Sequence, residues 1–371
     1  MDEYKMEVAR QKRMQHLKNR EWYVLRSILG YSWAMFIFLL GGREAGKSYS
    51  VTDFYVGQWR KYGRPFYWLR LTDTSQKKLL KNNAEKLIDP DLRRKYNIEL
   101  ETRGDGVYEV IRHKVTIKNK QGKMEEKEKI EKKLMARVLA LSTFYNDKGS
   151  GLFDKDFLND PNMYYNVCLD EMNREQTAER NSFDIVYAFA NQLENLVRST
   201  KNNLRIICIG NTLEEASDIL CAFNFLPEAF GRYKLKKKRA VVEYIEPSQA
   251  YKERRKGTVS DILMPTASTF TNEIKVDTAL ITKKRLQRPS YIIKFSEDSK
   301  YTVWDSNVIK IYHKSEHKLP IVAMRPYIDE IFNVKRRDEI IQIFDTRGFR
   351  FANLITQKRF KKDLELLKPR K

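Results

Sequence analysis

The sequence predicts an α/β protein in which helices pack on a mainly parallel sheet, and three observations lead to this fold class. Three apolar runs, at residues 35–40, 164–169 and 205–210, have the composition of strands buried on both faces. Helix-like segments alternate with these runs, which is the order that builds a parallel sheet. A polar motif follows each run, and parallel sheets bind ligands at the carboxyl ends of their strands.

The first run leads into a segment that matches a phosphate-binding loop, G-x-x-x-x-G-K-[ST], over residues 41–48. In such a loop, backbone N–H groups surround the phosphates, the lysine neutralises the terminal ones and the hydroxyl binds magnesium. Apolar residues recur at helical spacing after the loop, so strand, loop and helix follow in the required order. The predicted ATP-binding residues are Gly41, Gly42, Arg43, Glu44, Ala45, Gly46, Lys47 and Ser48.

The second run ends in the acidic pair Asp170 and Glu171. A carboxylate at a strand end can hold Mg²⁺ together with Ser48, and the glutamate beside it can accept the proton of an attacking water. An Asp-Glu pair at a strand end is common. The phosphate-loop pattern upstream favours a catalytic role for this pair. We therefore predict Ser48 and Asp170 as magnesium ligands, with Glu171 and Lys47 as catalytic residues.

The third run ends in Asn211 and Thr212, which could touch both the γ-phosphate and the attacking water. We predict a sensor of nucleotide state there, although an asparagine at a strand end is also an ordinary turn residue. Arg198 ends the preceding helix, from which it could reach a neighbouring subunit's nucleotide as an arginine finger. Chemistry alone favours a solvated arginine that pairs with the helix dipole.

The remaining segments give the domain organisation. Residues 1 to about 30 resemble an amphipathic basic helix, and residues 96–141 alternate like strands around the charged segment 121–133, which we interpret as a hairpin tip or a short helix. Strand-like and then helix-like stretches from about residue 277 predict an α+β domain. The predicted domains are an ATPase domain at 1–247 with an N-terminal helical extension, a small linker subdomain at 248–276 and a C-terminal domain at 277–371.

Composition restricts the partners. The 371 residues include 71 Lys and Arg against 49 Asp and Glu, a net charge of +22, which points to a polyanion such as nucleic acid. Three cysteines and four histidines show no metal-ligand spacing, so we expect buried, reduced thiols and no zinc site. No apolar run approaches the roughly 18 residues of a membrane span, and we expect a soluble protein with no membrane partner.

Together these residues resemble the DNA-packaging (encapsidation) ATPases of phi-29-like small podoviruses, within the additional-strand, catalytic-glutamate (ASCE) P-loop NTPases. The similarity covers most of residues 34–235. It is carried by five segments: GGREAGKS with its arginine at position 43, KYGRPFYWLR, CLDEMN, QLENLVRSTKNNLRIICIGNT and FNFLPEAFGRY.

The resemblance implies a homo-oligomeric ring motor, commonly a pentamer, that drives double-stranded DNA into a prohead through the phage portal. Such a motor works in the host cytoplasm, transiently on the prohead, and a structural RNA is a further candidate partner. The resemblance also implies ATP and Mg²⁺ as cofactors, with Lys47 and Ser48 on the phosphates and magnesium, Asp170 on magnesium, Glu171 as catalytic base and Arg198 as a finger acting in trans.

For the C-terminal domain, the resemblance implies an RNase H/nuclease-like fold that has lost cleavage. The insertion at 96–160 departs from the family pattern, and a second trans-acting lysine there would be Lys148 or Lys155. Two other readings stay open: a P-loop kinase or nucleotide-gated RNA-binding adaptor, and a terminase whose nuclease is active through Asp277, Asp305 and Asp345.

Overall fold

The computed structural model describes residues 20–118, 124–147, 164–173, 184–197, 204–211, 217–223, 225–227, 229–263, 279–282, 289–295, 300–304, 308–312, 337–346 and 348–367. The chain divides into two compact units. The first comprises Met1–Ile219 and Pro227–Ile274, and the second comprises Leu220–Leu226 and Lys275–Lys371. The nine-stranded sheet lies in the first unit, and the described strands and helices from residue 279 onward lie in the second.

The first unit contains nine described strands. They are β1 (Phe36–Gly41), β2 (Phe66–Arg70), β3 (Glu99–Arg103), β4 (Gly106–Lys118), β5 (Met124–Ala140), β6 (Tyr165–Leu169), β7 (Leu204–Asn211), β8 (Gly231–Leu235) and β9 (Ala240–Tyr244).

The described helices of the chain begin and end as follows. They are α1 (Lys47–Tyr62), α2 (Asp73–Ala84), α3 (Pro90–Tyr96), α4 (Ile185–Val197), α5 (Asp218–Ala222), α6 (Gln249–Arg255), α7 (Val259–Leu263), α8 (Arg337–Asp345) and α9 (Leu354–Leu367), with 3-10 helices at Leu25–Ser27, Leu141–Asp147 and Lys236–Lys238.

The nine strands form one sheet in the order β3-β4-β5-β2-β6-β7-β1-β9-β8. The six strands from β5 to β9 in this order are parallel, and antiparallel pairing occurs only towards the two outer strands, β3 and β8. Strand β7 lies between the loop strand β1 and the acidic strand β6. It therefore has the position of the additional strand in the predicted ATPase class. The predicted parallel P-loop fold is therefore confirmed.

The parallel strands give the sheet two distinct edges. All six run in one direction, so they end at what we call the carboxyl edge and begin at the amino edge. Helix α1 covers one face, where buried Tyr55 packs on Phe66 and Trp68 and donates a hydrogen bond of 3.0 Å to the carbonyl of Val167. These contacts hold the middle of α1 over the centre of the sheet.

The structure tests two local predictions, and the first of them is wrong in its described part. Within the described part of the predicted N-terminal helix, residues 20–30, the only helical turn is the 3-10 helix Leu25–Ser27. The backbone N–H of Tyr23 bonds to the carbonyl of Ala45, and that of Leu25 bonds to the hydroxyl of Ser50, so long-range partners replace helical ones. Of the two interpretations of the charged segment, the described residues agree with the hairpin and not with the short helix, because from residue 124 the segment belongs to β5, which pairs antiparallel with β4.

The second unit is an α+β unit in its described part. Strands β10 (Pro289–Lys294), β11 (Lys300–Trp304), β12 (Val308–Tyr312) and β13 (Arg350–Phe351) form a sheet in that order, antiparallel except for the β12–β13 pair. Phe349, Phe351 and Phe360 lie in its core. Its assignment as RNase H/nuclease-like stays a prediction, as does the division at residues 248 and 277.

The cysteines and the described helices bear on two of the expectations from composition. Cys168, Cys208 and Cys221 are all buried and free of disulfide bonds, as expected. Among the helices in the described ranges, none is both long enough and apolar enough to cross a membrane.

Candidate nucleotide site

The predicted phosphate loop leaves the buried strand β1 at the carboxyl edge and enters α1 at Lys47. Gly46 and Glu44 have left-handed backbones, with φ of 82° and 60°. At Gly46 only glycine fits, because a Cβ atom would also lie 3.2 Å from the ring of Trp22. A loop with left-handed residues before a helix start directs backbone N–H groups into one concavity, which suits an anion.

Lys47 is held inside this loop. Its ammonium donates hydrogen bonds to the carbonyl oxygens of Gly41, at 2.9 Å, and Gly42, at 2.6 Å. Burial lowers the pKa of Lys47 to about 8, against the opposing attraction of Asp170. A buried ammonium bonded mainly to neutral carbonyls is a strong site for a negatively charged ligand, because a phosphate would supply the missing counter-charge.

Ser48 and Asp170 meet at the carboxyl edge as predicted. The hydroxyl of Ser48 donates a hydrogen bond of 3.2 Å to Oδ1 of Asp170, which is buried at the end of β6. Burial raises the pKa of Asp170, while the positive charge of Arg70 works in the opposite direction. Mg²⁺ prefers oxygen ligands and is bound by one or two carboxylates plus substrate phosphates. The hydroxyl–carboxylate pair therefore fits the predicted magnesium.

Arg70 is a site residue that sequence reasoning missed. It ends β2, and its guanidinium lies 3.5 Å from Oδ2 of Asp170 and forms an ion pair with the carboxylate of Glu171. Its side chain is only 11% exposed, whereas that of Glu171 is 57% exposed. Arg70 thus offsets the charge of the buried aspartate and positions the glutamate. The available signal was the polar residue ending the apolar run FYWL.

Asn211 stands beside the phosphate loop, because β7 pairs with β1 and places it across from Gly41. The side chain of Asn173 donates a hydrogen bond of 2.7 Å to the carbonyl of Asn211, and the backbone N–H of Met172 bonds to Ile209. Gly210 permits this close approach, since a Cβ there would lie 2.7 Å from Cε of Met172. The segment after the acidic pair is therefore tied directly to the predicted sensor strand.

The outer side of the loop is held by α6, which the sequence did not connect with the site. The hydroxyl of Tyr251 donates to the carbonyl of Arg43 at 2.8 Å, and Arg254 donates to the carbonyl of Glu44 at 2.6 Å. The guanidinium of Arg254 also stacks over the ring of Trp22, 3.7 Å from its centre. Residues more than 200 positions apart along the chain thus hold one loop.

These groups surround a cavity of about 770 Å³, within the range of small-molecule sites. The predicted residues among its lining are Arg43, Glu44, Ala45, Gly46, Lys47, Ser48, Asp170, Glu171 and Asn211. Gly41 and Gly42 contribute through their carbonyl bonds to Lys47. Trp22, Tyr49, Arg70, Lys86 and Arg254 also line it, and none of these was predicted from the sequence.

Several predicted residues lie outside the described residues. They are Arg198, Thr212, Lys148, Lys155, Asp277 and Asp305. Asp345 is described and exposed at the end of α8. Within the described ranges, no group of three or more His, Cys, Asp or Glu side chains is arranged to hold a metal ion.

Comparisons with known proteins identify the fold. No protein-family model and no curated protein matches the chain. Among solved structures, the chain is similar to the phi-28 gp11 DNA packaging motor, with 15% identity over 95% of this chain and 99% of that chain and a TM-score of 0.57. It is also similar to the bacteriophage phi-29 viral genome packaging motor assembly, with 19% identity over 94% and 100% of the two chains and a TM-score of 0.55.

Proposed function

We propose that this chain, which shares its fold with these two phage packaging motors, hydrolyses ATP with Mg²⁺ to move double-stranded DNA into a prohead. The observation that carries the ATPase part is the convergence of Lys47, Ser48, Asp170 and Glu171 on one cavity at the carboxyl edge. Phosphoryl transfer is catalysed by positioning and electrostatic stabilisation, and these four side chains supply both.

Each side chain takes a separate part in the proposed reaction. The loop N–H groups and the ammonium of Lys47 bind the phosphates and offset the charge that develops on them. Ser48 and Asp170 would hold magnesium, which supplies further charge stabilisation when it is bound. Glu171 orients a water molecule and accepts its proton, and its ion pair with Arg70 sets where the carboxylate stands. Water rather than a phosphoacceptor is thus the nucleophile.

The motor part of the proposal rests on the shared fold and on the net charge of +22. In this proposal the chain forms a homo-oligomeric ring, with a pentamer as the expected number, on the portal of a prohead in the host cytoplasm. Arg198 would enter the neighbouring subunit's site as an arginine finger, and Asn211 with Thr212 would report the nucleotide state. Double-stranded DNA is the substrate, and a structural RNA is a candidate additional partner.

Release of inorganic phosphate from ATP tests the hydrolase. Glu171→Gln should bind ATP but hydrolyse it about 10² to 10⁴ times more slowly, which is the usual contribution of a general base. Glu246→Gln, the same change at an exposed position outside the cavity lining, should hydrolyse ATP at the unaltered rate. Unchanged hydrolysis by Glu171→Gln, or transfer of the phosphate to an acceptor instead of water, would contradict the proposal.

Mixing two variants tests the ring. Arg198→Ala retains Glu171, and Glu171→Gln retains Arg198, so each variant alone should be nearly inactive. A mixed ring contains sites in which the arginine of one subunit meets the intact glutamate of its neighbour. Hydrolysis should therefore recover partially on mixing and depend on protein concentration. No recovery in rings shown by mass measurement to contain both variants would rule out the finger in trans.

A further inference from the structure

The amino edge of the first unit's sheet carries a series of basic residues that the nucleotide site does not use. Phe36 of β1 pairs with Ile206 on one side and Ala240 on the other, so Arg205 and Arg239 stand at the same level, one position nearer this edge. Arg64 lies two positions before β2. Strands are about 4.8 Å apart, so the four steps from β2 to β9 separate Arg64 from Arg239 by about 19 Å.

The turn between β8 and β9 extends this series. Lys236, Lys237 and Lys238 form its 3-10 helix, and all three lysines and Arg239 are exposed. The carbonyl of Arg239 accepts hydrogen bonds from the backbone N–H groups of Met35, at 2.8 Å, and Phe36, at 3.0 Å. The turn is therefore fixed to the start of the central strand. We call Arg64, Arg205, Lys236, Lys237, Lys238 and Arg239 the amino-edge strip.

At the other end of the strip, Arg64 and Arg205 contact aromatic rings. The guanidinium of Arg205 lies 4.5 Å from the centre of the Tyr164 ring, and that of Arg64 lies 4.3 Å from the centre of the Tyr62 ring. Burial lowers the pKa of Arg205, and the nearby positive charge of Arg64 lowers it further. The fold thus holds like charges together at this edge. Because cations cover these rings, the rings are poorly placed to stack on unpaired bases.

A two-stranded arm at the same edge differs from the strip, because it carries charges of both signs. Strands β4 and β5 project from the amino edge as a two-stranded arm, residues 111–118 and 124–131, about 25 Å long at 3.3 Å per residue. Its charges alternate in sign: Arg112 pairs with Glu128, and His113 lies beside Glu131. The arm compensates its own charge, so it is not counted in the amino-edge strip.

We propose that the amino-edge strip binds the phosphate backbone of a nucleic-acid duplex. The span of about 19 Å from Arg64 to Arg239 is long enough to contact several phosphates of one backbone strand. Lysine and arginine contact phosphates without reading bases, and the interaction is therefore independent of sequence. The surface lies on the edge of the sheet away from the nucleotide cavity, and this binding needs no ATP.

Salt-dependent binding of a labelled DNA duplex, and of an RNA duplex of the same sequence, tests the proposal without nucleotide. The strip variant is Lys236→Gln with Lys237→Gln. The matched control is Lys77→Gln with Lys78→Gln, two exposed lysines at the start of α2 near the carboxyl edge, with the same change in charge. Each lost phosphate contact should weaken binding up to about eightfold at 0.1 M salt and reduce the slope of log K against log salt by about 0.9.

The expected result is loss of affinity and a shallower salt slope in the strip variant alone, with unaltered thermal unfolding and basal ATP hydrolysis. Loss of affinity for both duplexes would show that the strip binds the phosphate backbone, which DNA and RNA share. Loss of affinity for one duplex alone would show which nucleic acid the strip binds. Equal loss in the strip variant and the control would show only a nonspecific response to net charge and would overturn the proposal. Unaltered binding by the strip variant would also overturn it. Neither result depends on whether the chain hydrolyses ATP.

Discussion

The two edges of the first unit's sheet carry charge in opposite ways. At the carboxyl edge, Lys47 and Asp170 are buried, and each is held by specific partners. At the amino edge, the lysines of the strip are exposed and of one sign. A few buried charges in fixed positions suit a small ligand whose reaction depends on geometry. Many exposed charges suit a long polymer that is held along its length and released by salt.

Removal of Arg70 should destabilise the buried charges of the carboxyl edge strongly. Arg70→Ala leaves Asp170 without its closest opposite charge, and loss of one partner of a buried pair costs about 3 to 5 kcal/mol. Arg137→Ala, which removes a more exposed ion pair with Asp105, should cost about 1 kcal/mol or less. Urea unfolding measures both changes.

The decrease in the free energy of unfolding caused by Arg70→Ala should also depend on pH. Burial already raises the pKa of Asp170, and a neutral carboxyl needs no counter-charge. The stability lost in the variant should therefore be greatest where Asp170 is ionised and should shrink as pH falls through that raised pKa. Equal losses for Arg70→Ala and Arg137→Ala at all pH values would contradict the contrast between buried and exposed charge.

The affinity for ATP should depend on pH through Lys47. The pKa of about 8 in the free protein means that Lys47 loses its proton above pH 8, whereas bound phosphates favour the charged form. Affinity should be constant below pH 8 and fall by up to tenfold per pH unit above it. Titration calorimetry should detect proton uptake on binding in that range. Lys47→Arg, which stays charged, should show no such fall.

Two substitutions of Arg239 should distinguish the contribution of backbone conformation from that of charge at the amino edge, with only a small change in stability. Arg239 has a left-handed backbone, with φ of 49°. Arg239→Gly should increase the free energy of unfolding by about 1 kcal/mol relative to Arg239→Ala, because glycine adopts this conformation without strain. Both variants lose the same charge, so their affinities for a DNA duplex should fall equally. Different affinities would mean that the turn conformation, rather than the charge, sets binding.

Much of the carboxyl edge could be predicted from the sequence because its signals are local. An apolar strand followed by a phosphate-loop pattern or an acidic pair identified Lys47, Ser48, Asp170 and Glu171, and parallel strands bring such ends together. Arg70, Trp22 and Arg254 were missed because their roles depend on which strands and segments are neighbours in space. Within the described residues 20–30, the predicted N-terminal α-helix does not form for the same reason: at residues 23 and 25, hydrogen bonds to the loop and to α1 replace helical ones.

In the proposed division of function, one edge of the sheet hydrolyses ATP and the other binds nucleic acid. The most direct measurement determines basal ATP hydrolysis and duplex-DNA affinity, side by side, for Glu171→Gln and for Lys236→Gln with Lys237→Gln. We predict that the first variant loses hydrolysis and keeps DNA affinity, and that the second keeps hydrolysis and loses DNA affinity. If either variant lost both activities while remaining folded, the division of function between the two edges would be contradicted.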